Sequence, residues 1–203
     1  MRAVTFDLDD TLWDASDVLH RADRRLQAWL AENHPRIPER YGARDLRALM
    51  AEVARRDPGI AHDFTRLRVA ALEHAARDAG YPPGVGERAF EVFLEARNDV
   101  TLFADVLPAL ELLRPRYGLA SLTNGNADVA RVGLESYFRV ALSAIDVGAA
   151  KPDPAMFHAA CGALGVRPPE AVHVGDDADS DVAGAAAAGM RTVWVNRDGR
   201  PWP

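Results

Sequence analysis

The chain is poor in cysteine, in lysine and in long apolar runs, and each shortage excludes something. A single cysteine, Cys161, cannot form an internal disulfide. It falls in a helical pattern beside Ala160 and Ala163, where a small buried filler is expected. A reducing cytoplasm is the natural compartment for such a chain. No apolar stretch approaches the ~20 residues that cross a bilayer, so no membrane partner is expected. No basic segment followed by an apolar one opens the chain, so no secretory signal is expected. The net charge is −6 and no basic stripe stands out, which argues against nucleic acid. Of 24 basic residues only Lys151 is lysine. A position that keeps lysine against so strong an arginine bias calls for a compact ammonium rather than a planar fork, unless chance placed it there. What is present is 203 residues, 48% of them hydrophobic, enough for one large domain or a core domain plus a smaller one.

Short strand-like runs occur at Ala3–Phe6, Leu119–Leu122, Val140–Ile145, Ala171–Val174 and Thr192–Val195. Helix-length segments separate the later ones: Ala104–Tyr117, Ala127–Tyr137, Pro154–Leu164 and Ala178–Ala188, several followed by glycine as a stop. That alternation predicts an α/β fold, a parallel sheet with helices on both faces. Such sheets bind ligands at the carboxyl ends of their strands. Residues 16–100 break the rhythm. Ser16 is placed to cap a helix to about His34, with Val18, Leu19, Ala22, Leu26, Trp29 and Leu30 at helical spacing. Helices are also predicted over Ala43–Arg56, Ile60–Ala79 and Val85–Arg97. The expected organisation is a core of residues 1–15 and 101–203 with an all-helical insert over 16–100, hinged near Asp14–Ser16 and Asn98–Asp105.

Four strand ends carry polar clusters. The first is Asp7-Leu8-Asp9-Asp10-Thr11-Leu12. Residues i and i+2 of an extended chain share a side, and two carboxylates that close call for a cation or a split acid–base pair. The second is Thr123-Asn124-Gly125-Asn126, a hydroxyl and an amide able to donate to an anion, or else a plain turn with a cap at Asn126. The third is Lys151-Pro152-Asp153-Pro154, a point charge before a helix. The fourth is Gly175-Asp176-Asp177-Ala178-Asp179-Ser180-Asp181, where Asp176 is the best hard-cation ligand and Asp181 acts from behind it. Asp177 and Asp179 suit solvated or capping positions. Any one cluster is weak; together, on one parallel sheet, they make a site.

In order and spacing these clusters resemble the four motifs of the haloacid-dehalogenase-like (HAD) hydrolase superfamily, in its members with a small helical cap and a Rossmann-like core. Asp9 resembles the acid found in the phosphatases, which the dehalogenases lack. The segments His62–Arg68, Leu122–Ala127 and His173–Asp177 are similar to bacterial phosphatases acting on FMN and on the phosphoribitylamino-uracil intermediate of riboflavin synthesis. The resemblance implies a Mg²⁺-dependent hydrolysis of a small phosphate monoester. Asp7 is then the nucleophile and Asp9 the general acid–base. Asp7, the Asp9 carbonyl and Asp176 hold the metal, Asp181 supports from behind, and Thr123, Asn124 and Lys151 hold the phosphate. Nucleotides are further candidate substrates, and the chain is expected as a monomer or homodimer. His62, Arg66 and Arg68 are candidate substrate contacts, or a solvated helix face. Trp13 is a candidate for the pocket mouth, Trp29 and Trp194 for the core. His173 is expected to pack against a covering helix, His158 to be structural. A phosphosugar mutase is the nearest rival; a phospho-accepting receiver or an idle binding protein is more distant.

Overall fold

The five apolar runs form five strands, each a few residues long and flanked by turns. In the computed structural model, which describes residues 1–202, they are β1 (Ala3–Phe6), β2 (Gly118–Thr123), β3 (Val140–Ser143), β4 (Ala171–Gly175) and β5 (Arg191–Trp194). All pair in parallel, in the order β3-β2-β1-β4-β5. Every residue of β1 is buried, as a central strand of a covered parallel sheet requires. In register, Phe6 lies beside Ser121 on one side and Val174 on the other. The chain leaves β1 toward β2 and β3, then returns to β4 on the opposite side. The ends of β1, β2 and β4 therefore share one edge of the sheet at its topological switch point, where α/β folds place their ligands.

The chain divides into two compact units, 1–15 with 100–203 and 16–99. In the sheet unit, helix α5 (Val106–Leu113) is shorter than the predicted Ala104–Tyr117. The helix expected over Ala127–Tyr137 does not form. Turns occupy most of it, with one 3-10 turn at Glu135–Tyr137. The reason is local: the Asp128 carboxylate accepts from the Ala130 amide, Gly133 has a φ of 82°, and Val129 and Val132 are poor helix formers. Asn126 accordingly caps no helix. The predicted strand to Ile145 ends at Ser143, whose hydroxyl caps α6 (Ala144–Val147). Helix α7 (Pro154–Leu164) has the predicted bounds, with Pro154 in its first turn and Gly165 at φ 65° as its stop. Ala178–Ala183 form a π turn that runs into α8 (Gly184–Ala187). Met156, Phe157, Ala160, Cys161, Ala185 and Met190 pack with β1, β2 and β4 residues into one buried cluster. Cys161 is the small filler expected of it.

In the second unit, α1 runs Ala15–Asn33, α2 Ala43–Arg56, α3 Phe64–Asp78 and α4 Val85–Arg97. Ser16 is not the cap of α1; the Asp10 carboxylate accepts from the Ala15 amide at 2.9 Å. The third helix starts at Phe64 rather than Ile60, because Asp63 caps it through the Arg66 amide at 2.8 Å. Leu26, Leu30, Ile37, Leu72, Phe90 and Phe93 form its core, with Trp29 half-buried against them. Helices α3 and α4 approach so closely that a Cβ on Gly86 would lie 2.6 Å from Glu73 Cγ. No helix of the described residues is long and apolar enough to cross a membrane.

Candidate active site

The chain has no other lysine, and this one is buried: Lys151 is 5% exposed. Its Nζ donates to Asp7 Oδ1 at 2.5 Å, Asp181 Oδ1 at 2.7 Å and the Leu122 carbonyl at 2.9 Å. Three donors thus meet three acceptors, which fills an ammonium completely. Its charge is reinforced in turn: burial opposes the cation, but Asp7 and Asp181 outweigh it and raise its pKa. The loop that delivers Lys151 is clamped by Asn124. The side-chain amide donates to the Lys151 carbonyl at 2.9 Å and accepts from the Lys151 amide at 2.7 Å. The Asn124 side chain therefore positions Lys151, and its second amide hydrogen and the backbone around it remain to offer an anion. Thr123, also buried, accepts from the Gly125 amide at 2.9 Å, so the hydroxyl proton is what it can give.

Asp7 follows β1 and Asp176 follows β4, each placed by the parallel register. Burial drives the Asp7 carboxyl up to about 7, more strongly than the adjacent ammonium pulls it down. Asp176 is likewise raised to about 6, by burial and then by Asp181 and Asp10. Asp181 goes the other way: burial would raise it, but the bond from His173 and the charge of Lys151 hold it at about 2. Oxygens of Asp7, Asp176 and Asp181 lie within 4.8 Å of one another. These residues fit a hard divalent cation, because every donor is oxygen and two carboxyls gathered there are short of positive charge. Asp181 is the least available of the three. Its Oδ1 accepts from Lys151 and from His173, and its Oδ2 from the Asp177 amide at 3.1 Å. The room for it is made by Gly175, where a Cβ would lie 2.3 Å from Asp181 Cγ.

Asp9 is half-buried, and its Oδ1 accepts from the Trp13 indole at 2.9 Å. Trp13 is 0% exposed, so it is not at a pocket mouth; it is a fixed donor that sets the direction of Asp9. The i+4 spacing of Asp9 and Trp13 was a signal for this pair. Thr11 donates to Asp176 Oδ1 at 3.2 Å, and Trp194 donates to the Asp176 carbonyl at 2.7 Å. Trp194 is half-buried rather than core. Arg197 donates to the Thr11 carbonyl and to Asp105, both at 2.8 Å, and lies over the Phe103 ring. Nothing in the local sequence marks Thr11, Trp194 or Arg197 for these contacts, which depend on strand register. Asp177 caps the π turn through the amides of Asp179 and Ser180. His173 packs edge-on against Phe157 of α7, and His158 reaches the Ala188 carbonyl at 3.3 Å. In the helical unit, His62 precedes α3, Arg66 is exposed, and Arg68 lies 3.5 Å above the centre of the Phe93 ring. Burial lowers the Arg68 pKa to about 10.

The model of one protein family, described as haloacid dehalogenase-like hydrolase, matches residues 1–189. The chain belongs to the haloacid dehalogenase-like hydrolases. This hydrolase is 35% identical over 197 residues to the 5-amino-6-(5-phospho-D-ribitylamino)uracil phosphatase YigB of Escherichia coli (strain K12), over 95% of its own length and 82% of that protein's. It is 39% identical over 141 residues to a phosphoserine phosphatase of Thermus thermophilus, over 66% of its own length and 57% of that protein's. Among solved structures, a 2-haloacid dehalogenase from Pseudomonas syringae pv. Tomato DC3000 matches with a TM-score of 0.95 and 43% identity, over 100% of this hydrolase and 89% of that chain. Its relatives thus include both phosphatases and dehalogenases, and the residues of the site must separate them.

Proposed function

We propose that this hydrolase is a Mg²⁺-dependent phosphatase that cleaves a small phosphate monoester through an aspartyl-phosphate on Asp7. The observation that carries the reading is the pairing of a buried, lysine-bound Asp7 with a second acid, Asp9, held by Trp13. A halide leaves without a proton; an alkoxide does not. An oriented acid two residues from the nucleophile is of use only for the second leaving group.

Asp7 attacks phosphorus and the ester oxygen departs with the proton of Asp9. Asp9, now a carboxylate, takes a proton from water as that water attacks the aspartyl-phosphate, and Asp7 is restored. The Thr123 hydroxyl and the backbone near Asn124 hold the oxygens that do not transfer, with the Lys151 ammonium, its hydrogens taken by Asp7, Asp181 and Leu122, adding positive charge beside those oxygens. The transition state spreads charge over them, so fixed donors supply much of the rate. Mg²⁺ would be held by Asp7, the Asp9 carbonyl and Asp176, and when bound it neutralises charge so that carboxylate and phosphate can approach. Asp181 holds Lys151 from behind. Residues 16–100 act as the cap that selects the leaving group, and 1–15 with 101–203 as the catalytic core.

The similarity to YigB favours the phosphoribitylamino-uracil intermediate, with FMN and nucleotides next. The test is phosphate release from a panel of these compounds and sugar phosphates with Mg²⁺, alongside halide release from 2-haloacids. Phosphate release that stops with EDTA supports the reading. Halide release without phosphate release overturns it in favour of the dehalogenase, the second reading that the 43% identity keeps in view.

A further inference from the structure

Two buried polar side chains have no part in the mechanism above. Thr5 is 0% exposed and His173 is 1% exposed. They are direct partners across β1 and β4. Thr5 Oγ1 lies 2.8 Å from His173 Nδ1, and His173 Nε2 lies 3.1 Å from Asp181 Oδ1. That same oxygen accepts from Lys151, which touches Asp7. An unbroken line of bonded side chains therefore runs from Thr5 to the nucleophile, all of it out of water.

The hydrogens along this line follow from what each atom can do. Asp181 is a carboxylate, so His173 must present Nε2–H to it. Burial and the nearby Lys151 cation favour the neutral ring and lower its pKa, although Asp181 pulls the other way. A neutral ring with its hydrogen on Nε2 has a bare Nδ1, which only a donor can face. The Thr5 hydroxyl is that donor; its other acceptor, the Val172 carbonyl, is 3.4 Å away. The opposite tautomer would aim a lone pair at the Asp181 carboxylate. Phe157, edge-on at 5.2 Å, holds the ring from the side.

We infer that Thr5 and His173 are positioning residues for Lys151: the Thr5 hydroxyl fixes the Nε2–H form of His173, which keeps Asp181 Oδ1 turned toward the ammonium that contacts Asp7. The effect on rate rests on the phosphatase reading; the assignment of hydrogens does not. Partners behind a functional group commonly carry ~10–100-fold in activity. Thr5→Val keeps the shape and the strand preference but removes the donor, and lowers kcat ~10-fold with KM little changed. Thr5→Ser keeps the donor but suits a strand less well, and turns over faster than Thr5→Val. A packing role predicts the reverse order, and that result would overturn the inference. A long-range proton–nitrogen spectrum of histidine-labelled protein at neutral pH reads the ring directly. The expected form is neutral with hydrogen on Nε2 in the wild type, with the Nδ1 resonance moved in Thr5→Val by loss of the hydroxyl that faces it. A wild-type ring that is cationic, or protonated on Nδ1, sinks the assignment. Should the wild type release no phosphate from any compound, the phosphatase reading fails by itself, and the spectrum still decides the relay.

Discussion

Replacing Lys151 with methionine keeps the aliphatic stem and deletes the charge. Asp7 and Asp181 then face each other with no cation between them, in a site where all three residues are at most 7% exposed. Breaking a buried ion pair by removing one partner costs ~3–5 kcal/mol. For a chain of this length ~1 kcal/mol moves the melting point by ~2–4 °C, so the EDTA-treated variant melts on the order of 6–20 °C lower. The deficit has a shape in pH. Asp181 sits at about 2 in the fold against an ordinary 3.8, so its stabilisation is complete above 3.8 and lost as pH falls through about 2. That part is worth ~2 kcal/mol. Asp7 is raised to about 7, so stability tied to its proton is whole below its ordinary 3.8 and is lost as pH climbs through about 7. Without the ammonium its pKa rises further, and the variant loses still more above neutrality. Lys151 itself, with a raised pKa, changes nothing below its ordinary 10.5. The difference between wild type and variant should therefore grow with pH in two steps. Urea titrations in EDTA across a pH series measure it. A difference under ~1 kcal/mol, or one that shrinks on going alkaline, refutes the account of the site as a charge-balanced triad.

Asp7→Asn should abolish turnover while leaving the fold intact; a variant keeping a tenth of the wild-type rate removes Asp7 as nucleophile. Asp9→Ala should cost at least ~10²-fold on alkyl phosphates and less on p-nitrophenyl phosphate, whose leaving group needs little protonation. A loss under threefold on alkyl phosphates ends the general-acid assignment. Trp13→Phe keeps the ring and removes the donor to Asp9, and should lower kcat ~10-fold with KM nearly constant; a change confined to KM points instead to substrate contact. Gly175→Ala drives a Cβ into Asp181, which is 2.3 Å away at Cγ, and should lower both melting point and activity. Wild-type values in that variant would mean the carboxylate can move without consequence.

The sheet was legible because each strand is a short apolar run followed by a turn, and because Asp7 and Asp176 stand at strand ends that parallel pairing brings together; Lys151 lies past β3 and α6, in the loop before α7. Glycine and proline marked α7 closely for the same reason: the signals are local. The segment 127–137 misled because its apolar spacing imitates a helix, while Asp128 and Gly133 turn the chain. Asn124 reads as an anion donor in sequence; that its side chain also clamps the Lys151 backbone, a partner 27 residues away, is not legible there. Thr5 with His173 and Thr11 with Asp176 lie farther apart still, at 168 and 165 residues, and only strand register reveals them. Hydrophobic pattern records which side of a strand faces inward; it does not record which hydroxyl meets which ring.

A chain with a single lysine offers amine-directed reagents one side chain to find, and here it is 5% exposed and fully bonded. Acylation anywhere but the chain start can then proceed only when this part of the molecule opens. The rate of labelling at Lys151 becomes a clock for that opening, and each labelled molecule has lost the cation that stands between Asp7 and Asp181.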